Sequence, residues 1–427
     1  MRERSDQAGE TRLTTRGTRR SFLTQAAAWS GALALGAATT RAGEIGSAAT
    51  EPPPSDPTKV LGRPVGTYGA RSRFEQALRV PVPTKTKESS ASLTPLQHLH
   101  GSITPSALHF ERHHAGVPDI DPARYRLLVH GLLRRPVVLT LADLERLPAV
   151  SRIHMIECSG NGSTEWAMPT MPDVQGTHGL TSCSEWTGVL LATLLGEVGV
   201  EPAGLWVLAE GGDAAAMTRS LPIDKCLTDV LLAYGQQNGE ALRPEQGYPL
   251  RLVVPGWEGN THVKWLRRLK VVAAAAQTRE ETAKYTDLLP DGTARQFTFV
   301  MEAKSVLTFP SGGQRLPGSG LYELRGLAWS GRGAVRTVEV STDGGRRWQA
   351  AELQAPVLRI AHTRFRLPWR WDGRDALLQS RCTDETGYVQ PILAELATIR
   401  GVGSVYHQNA IQSWKVTAGG EVLNARA

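Results

Sequence analysis

The 427-residue chain has little cysteine: Cys158, Cys183, Cys226 and Cys382 are all it contains. No two of them form a CxxC pair, which excludes a zinc ribbon, and the absence of CxxCH means that no c-type haem attaches to this chain. In an oxidising compartment so few cysteines also argue against a disulfide scaffold. No segment approaches the ~20 consecutive apolar residues of a membrane span. The chain lacks a flavin or dinucleotide fingerprint, an internal repeat and a block of like charges. Its formal charge of +7 is concentrated at one end, since Met1 to Ala42 carries seven arginines against three acidic residues and only +3 remains beyond it. That is no nucleic-acid footprint. With 6% aromatic and 21% charged residues, the body of the chain is expected to be globular, with ample core for two or three domains.

Arg19-Arg20-Ser21-Phe22-Leu23 precedes an alanine-rich stretch, Ala26 to Ala38, and reads as a twin-arginine export signal over residues 1–42. The expectation is a periplasmic protein exported already folded, with a cofactor inserted beforehand. Residues 43–93 read as a linker, proline-rich at Glu51 to Pro57, and an N-terminal extension. Residues 94–291 mix strand-like runs (Tyr125 to Val129, Leu205 to Leu208, Leu250 to Val254) with helical patterns at Leu141 to Leu147 and Val189 to Val198. This predicts an α+β domain. Residues 292–427 change to short strands: Val335 to Ser341 alternates, Asp343-Gly344-Gly345 makes a turn, and Thr363 to Leu367 and Ala376 to Thr383 continue. An immunoglobulin-like β-sandwich is expected there.

The chemistry centres on Cys158, in Glu157-Cys158-Ser159-Gly160-Asn161-Gly162 after an apolar run. A lone thiol on a glycine-rich loop suits a single thiolate bond to a soft metal, although a lone cysteine is also an ordinary packing residue. Phe110-Glu111-Arg112-His113-His114 offers a guanidinium and two imidazoles, and Arg251 with Gly259 to Trp265 adds further cationic donors beside a glycine-rich turn. Such a set fits a phosphorylated, anionic cofactor. Tyr285 lies where a phenol can reach back into the site. Cys183, Cys226 and Cys382 sit in apolar text and are expected to pack; His178 and His407 are as compatible with structural roles as with pocket roles.

In this order these segments resemble the sulfite oxidase family of molybdenum enzymes, from about Leu108 to Val416. The most specific pieces are Cys158 to Asn161, Val253-Val254-Pro255-Gly256 through Val263-Lys264-Trp265-Leu266, and Val338 to Gly345 before Trp348. The resemblance implies a sulfite-oxidase-type molybdopterin domain followed by a sandwich that dimerises. It implies molybdenum bound through Cys158, and a molybdopterin held by Phe110, Arg112, His113, His114, Asp213, Arg251, His262, Val263 and Lys264. Cys158, Tyr285 and Arg112 are the implied catalytic residues, with Tyr285 beside the metal.

Three departures narrow the expectation. Gly162-Ser163 and His407 stand where family members that act on free sulfite place arginines, and Gln246 stands where a cofactor-contacting histidine is common. A hydrogen bond to a charged group is worth roughly 1.5–3 kcal/mol, so two missing arginines weaken the grip on a free dianion by about 100- to 10,000-fold. Glu157 to Trp166 and Val117 to Pro122 look most like the catalytic subunits of sulfane dehydrogenases from bacterial thiosulfate-oxidising (Sox) systems. That implies a sulfur carrier protein as substrate, a c-type cytochrome as electron acceptor, and a homodimer of catalytic chains. The alternative is a periplasmic sulfite dehydrogenase. A non-catalytic anion-binding protein and a methionine sulfoxide reductase fit less of the chain.

Overall fold

The computed structural model describes residues 56–82, 86–167, 169–289, 291–401 and 404–426. The twin-arginine segment and most of the proline-rich linker lie outside the described residues. The chain divides into two units, residues 1–71 and 72–427. In the first, the described part holds one 3-10 turn, Pro57–Lys59, whose first amides are met by Asp56: its carboxylate accepts from Thr58 N at 2.9 Å.

The second unit begins with a small sheet of Val80–Val82, Ala91–Leu93 and Glu111–Arg112. Two five-stranded sheets follow. One pairs Ala149–Glu157, Thr181–Leu190 and Leu231–Gln237, with Glu240–Ala241 and Leu250–Val253 both on the last of these. The other runs Val137–Leu139, Leu127–Gly131, Leu266–Val272, Trp206–Gly211, Thr218–Pro222, with a single parallel pairing between Leu127–Gly131 and Leu266–Val272. Leu127, Val129, Leu195, Val207, Leu252 and Leu269 are fully buried in the core beside it. The helical pattern at Leu141 to Leu147 is a helix over Leu141–Glu145, started by a capping box between Thr140 and Asp143. The pattern at Val189 to Val198 is split: Val189 and Leu190 finish a strand and only Leu191–Val198 is helical. Both halves are apolar, so the 3.6-residue period cannot mark the junction.

The C-terminal part is a β-sandwich. Lys304–Phe309, Gly320–Trp329, Thr363–Trp371 and Glu352–Leu353 form one sheet; Gln349–Ala350, Val335–Ser341, Ala376–Asp384, Ser413–Val416 and Val422–Ala425 form the other. Their inner faces pack Val306, Leu327, Val338, Phe365, Leu378 and Trp414 together. Gly344 and Gly345 adopt φ +74 and +85 at the predicted turn, a conformation that glycine alone adopts without strain. The same core takes in Leu96, Met155, Val174 and Cys183, so the sandwich is packed onto the strands that carry the Cys158 loop. Among the described residues no helix is long and apolar enough to cross a membrane.

Candidate active site

Cys158 follows the last residue of the strand Ala149–Glu157, at the point where that strand leaves the sheet. The loop closes on itself: Asn161 N donates to Cys158 O at 2.9 Å, Asn161 Nδ2 to Glu157 Oε1 at 2.9 Å, and Leu180 N to Asn161 Oδ1 at 3.0 Å. Gly259 presses against it so closely that a Cβ there would sit 2.9 Å from Glu157 O. Only glycine permits that approach.

Facing Cys158 is a cleft of about 700 Å³. All eleven residues expected from the sequence line it: Phe110, Arg112, His113, His114, Cys158, Asp213, Arg251, His262, Val263, Lys264 and Tyr285. They arrive from six separate segments. Gln246 also lines it and takes a structural part, its Nε2 donating to Phe110 O at 3.0 Å while Arg251 Nη1 donates to Gln246 O at 2.8 Å. Sequence reasoning missed His109, Met217, Asn260 and Trp265. Of these, His109 carried a signal, since it adjoins Phe110.

The cleft concentrates positive charge away from water. Lys264 Nζ donates to Arg112 O at 3.2 Å and Glu245 O at 3.0 Å, and lies 2.8 Å from His113 Nδ1; the other ring nitrogen of His113 lies 2.8 Å from Glu111 Oε2. His113 therefore has both nitrogens engaged and steadies Lys264. Arg251 is buried beneath the Trp186 ring, 4.9 Å from its centroid. Burial lowers Lys264 well below the ordinary lysine range, with Arg251 adding to the effect, and lowers Arg251 to about 9. His114 is pushed down to about 4 by burial and then by Arg112 and Lys264, so it is neutral. His262 is neutral as well: burial depresses it, its Nδ1 accepts from Val254 N at 3.2 Å, and its Nε2 faces Trp257 O at 3.1 Å. An anion in the cleft relieves each of these depressions.

A second, outer chamber of about 1550 Å³ shares Arg112, His114, Cys158 and Tyr285 with the first. Ser163, Arg279, Lys284 and Tyr406 line its wall. Tyr285 stands at the junction, its hydroxyl 3.2 Å from His114 Nε2 and its ring 5.3 Å from that of Tyr406. Burial raises its phenol far above the usual value, and the hydroxyl keeps its proton. Tyr285 and Trp265 hold φ of +54 and +52, a strained left-handed backbone that costs about 1–3 kcal/mol at each position.

His407 lines neither chamber. Its backbone amide donates to Ser159 O at 2.7 Å, and its ring turns away to lie 3.3 Å from Glu258 Oε2. His178 is buried and donor or acceptor only to Thr177 Oγ1, at 2.7 Å. The other three cysteines are buried free thiols, and burial raises Cys183 and Cys226 to about 12. They are packing residues, as expected.

Residues 114–280 match the model of the oxidoreductase molybdopterin binding domain, and residues 295–414 that of the Mo-co oxidoreductase dimerisation domain. The sulfite oxidase of Gallus gallus is 32% identical over 336 residues, covering 70% of this chain and 71% of its own length. The chain belongs to the sulfite oxidase family. Mitochondrial sulfite oxidase of Rattus norvegicus is 32% identical over 342 residues, 73% of this chain and 61% of its own length, so the chain spans about three fifths of that relative. The solved structure of the sulfane dehydrogenase SoxCD from Paracoccus pantotrophus superposes with a TM-score of 0.85 at 47% identity, over 87% of this chain and 96% of that one.

The lining fits the molybdopterin cofactor of this family. His109 Nε2, Asp213 Oδ1 and Asn260 Oδ1, all on residues that line the cleft, are buried without a partner, and such groups are rare unless a ligand meets them. Arg251 and Lys264 suit a phosphate, and Asp213 suits the N–H groups of a pterin. Among the described residues no three His, Cys, Asp or Glu side chains converge as a metal cage.

Proposed function

We propose that this protein oxidises a sulfane sulfur carried on the cysteine of a carrier protein to the sulfonate level, and passes the electrons to a separate c-type cytochrome. The observation that carries this reading is the outer chamber. The chamber is open to solvent and is walled by residues from Val82 to Tyr406, far more surface than a free sulfite ion can touch. The cysteine loop supplies no cation to this wall: Gly160, Gly162 and Ser163 are small and neutral, and Arg112 is a cation that the two chambers share. A substrate held by its carrier brings binding energy from the carrier's surface, and the pocket has less need to grip an anion. The likeness to the Paracoccus sulfane dehydrogenase supports the same conclusion.

The bound cofactor supplies two-electron oxygen-atom transfer, with water as the source of oxygen. Three such rounds convert R–S–S⁻ and three waters to R–S–SO₃⁻, six protons and six electrons. Cys158 holds the metal as a thiolate. Arg112, at the junction of the chambers, orients the oxyanion as it grows and offsets its charge. The protonated hydroxyl of Tyr285 would donate to the substrate oxyanion and, with His114 at 3.2 Å, would provide a step by which protons leave. Arg279 and Lys284, farther out, meet the carrier. The sandwich forms the homodimer, and the twin-arginine segment directs the folded chain to the periplasm.

Comparing cytochrome reduction with sulfur-loaded carrier and with free sulfite tests this reading. We expect kcat/KM for the loaded carrier to exceed that for sulfite by at least about 100-fold, the low end of the two-arginine deficit. The reverse preference would establish a sulfite dehydrogenase instead.

A further inference from the structure

Behind Cys158 two acidic residues stand on neighbouring backbone segments. Glu157 and Glu258 are partners in an isolated parallel β-bridge, and their side chains are 0% and 1% exposed. Neither is neutralised by the cofactor cleft. Each has its own buried cation: Lys304 Nζ lies 2.6 Å from Glu157 Oε1, and Arg219 Nη2 lies 2.9 Å from Glu258 Oε1. The cations are as deeply buried as the acids, each 1% exposed.

Further contacts of both pairs reach the cysteine loop and its surroundings, while Arg219 also donates to Glu280 O at 2.9 Å and lies 4.0 Å from Glu281 Oε1. Trp329 Nε1 donates to Glu157 Oε2 at 2.7 Å, and Lys304 Nζ also donates to Asn161 O at 3.2 Å. On the other flank, Glu258 Oε2 faces the ring of His407, whose amide donates to Ser159 O, and the Arg219 guanidinium stands 5.6 Å from the Tyr285 ring centroid. Glu157 directly precedes Cys158 in the chain, and Gly259, next to Glu258, packs so closely that a Cβ on it would lie 3.2 Å from Cys158 Cα.

Buried ion pairs contribute little net stability, because desolvation offsets most of their attraction. Packing alone does not account for two of them on either side of one loop. We propose that Glu157–Lys304 and Glu258–Arg219 are positioning pairs that fix the direction and the electrostatic surroundings of the Cys158 sulfur. Lys304 opens the first sandwich strand, Lys304–Phe309, so the sandwich completes the redox site in addition to any part in dimerisation. Glu157 and Lys304 act through Cys158 and touch no reacting atom.

The inference rests on Cys158 being the metal ligand. It is tested on full-length, molybdenum-loaded protein in four forms: wild type, Lys304→Met, Glu157→Gln, and the two changes combined. The readouts are metal content and the Mo(VI)/Mo(V) midpoint potential from a titration followed by paramagnetic resonance. Removing the cation leaves a negative charge that favours the oxidised metal, and the midpoint of Lys304→Met falls. Glu157→Gln leaves the positive charge, and its midpoint rises. The combined variant, neutral again, returns close to wild type. Midpoints that do not move in the metal-loaded single variants would overturn the proposal. Should Lys304→Met fail to fold, Glu157→Gln and the combined variant decide by the same criterion. A Cys158→Ala protein with full metal and an unaltered Mo(V) signal would remove the ligand assignment itself, which is a different failure.

Discussion

The hydroxyl of Tyr285 lies 3.2 Å from Nε2 of His114, and the two residues line both the cofactor cleft and the chamber outside it. His114 is neutral and the phenol is protonated, so the pair can move a proton across the junction without leaving a buried charge at rest. Tyr285→Phe keeps the ring that packs on Tyr406 and removes only the hydroxyl. We predict that kcat falls by about 10²-fold, the low end for a lost general acid–base group, with KM little changed. Steady-state kinetics with the loaded carrier check it.

Arg112 is the cation placed at the same junction, its Nη1 tied to the carbonyl of His113. Arg112→Met removes a charge-assisted hydrogen bond to the substrate oxyanion, worth roughly 1.5–3 kcal/mol. The expected result is a drop of about 10- to 150-fold in kcat/KM with molybdenum content preserved, because Arg251 and Lys264 remain to hold the cofactor. A loss of metal in step with activity would assign Arg112 to cofactor retention.

Ser163 and His407 stand where the family resemblance implies arginines in enzymes acting on free sulfite, yet the two are not equivalent. Ser163 is exposed in the outer chamber, whereas His407 is 4% exposed, has φ +53 and directs its ring to Glu258. Ser163→Arg adds a cation beside the substrate and should lower KM for free sulfite by about 10-fold or more. His407→Arg puts a longer side chain into a filled site, and its predicted effect is a lower unfolding temperature without a gain in sulfite affinity. Parallel sulfite kinetics and thermal denaturation distinguish the two.

Several histidines are held neutral: burial lowers the fully buried His109 and His178 to about 3 and the half-buried His154 to about 4. An unfolded histidine titrates near 6.5. Because the folded values are depressed, the unfolded chain binds more protons below that pH. Stability is complete above about pH 6.5 and is lost as pH falls towards the folded values. At pH 5 each fully buried ring costs about 2 kcal/mol. Cofactor-free protein should therefore show a denaturation midpoint that falls steadily from pH 7 to pH 5, and a flat profile would contradict the burial of these rings.

Much of the site was legible because its chemistry is local. The Cys158 loop, Phe110 to His114 and Gly259 to Lys264 each carry several informative residues within one short segment, and the structure brings all of them to one cleft. The surrounding support was not legible. Glu157 and Lys304 are 147 positions apart, and each stands at the end of a strand, where a charged residue reads as solvent-facing. Arg219, Glu258 and His407 are similarly remote from one another, and only the pairing of strands shows that they meet. The true direction of His407 depends on a left-handed backbone that its residue type does not announce.

The most direct test of the account follows the Mo(V) paramagnetic resonance signal of anaerobic, molybdenum-loaded protein after mixing with sulfur-loaded carrier or with free sulfite. The account predicts a strong signal with the carrier and little response to sulfite at the same concentration. A full signal at low sulfite, with none from the carrier, would contradict it.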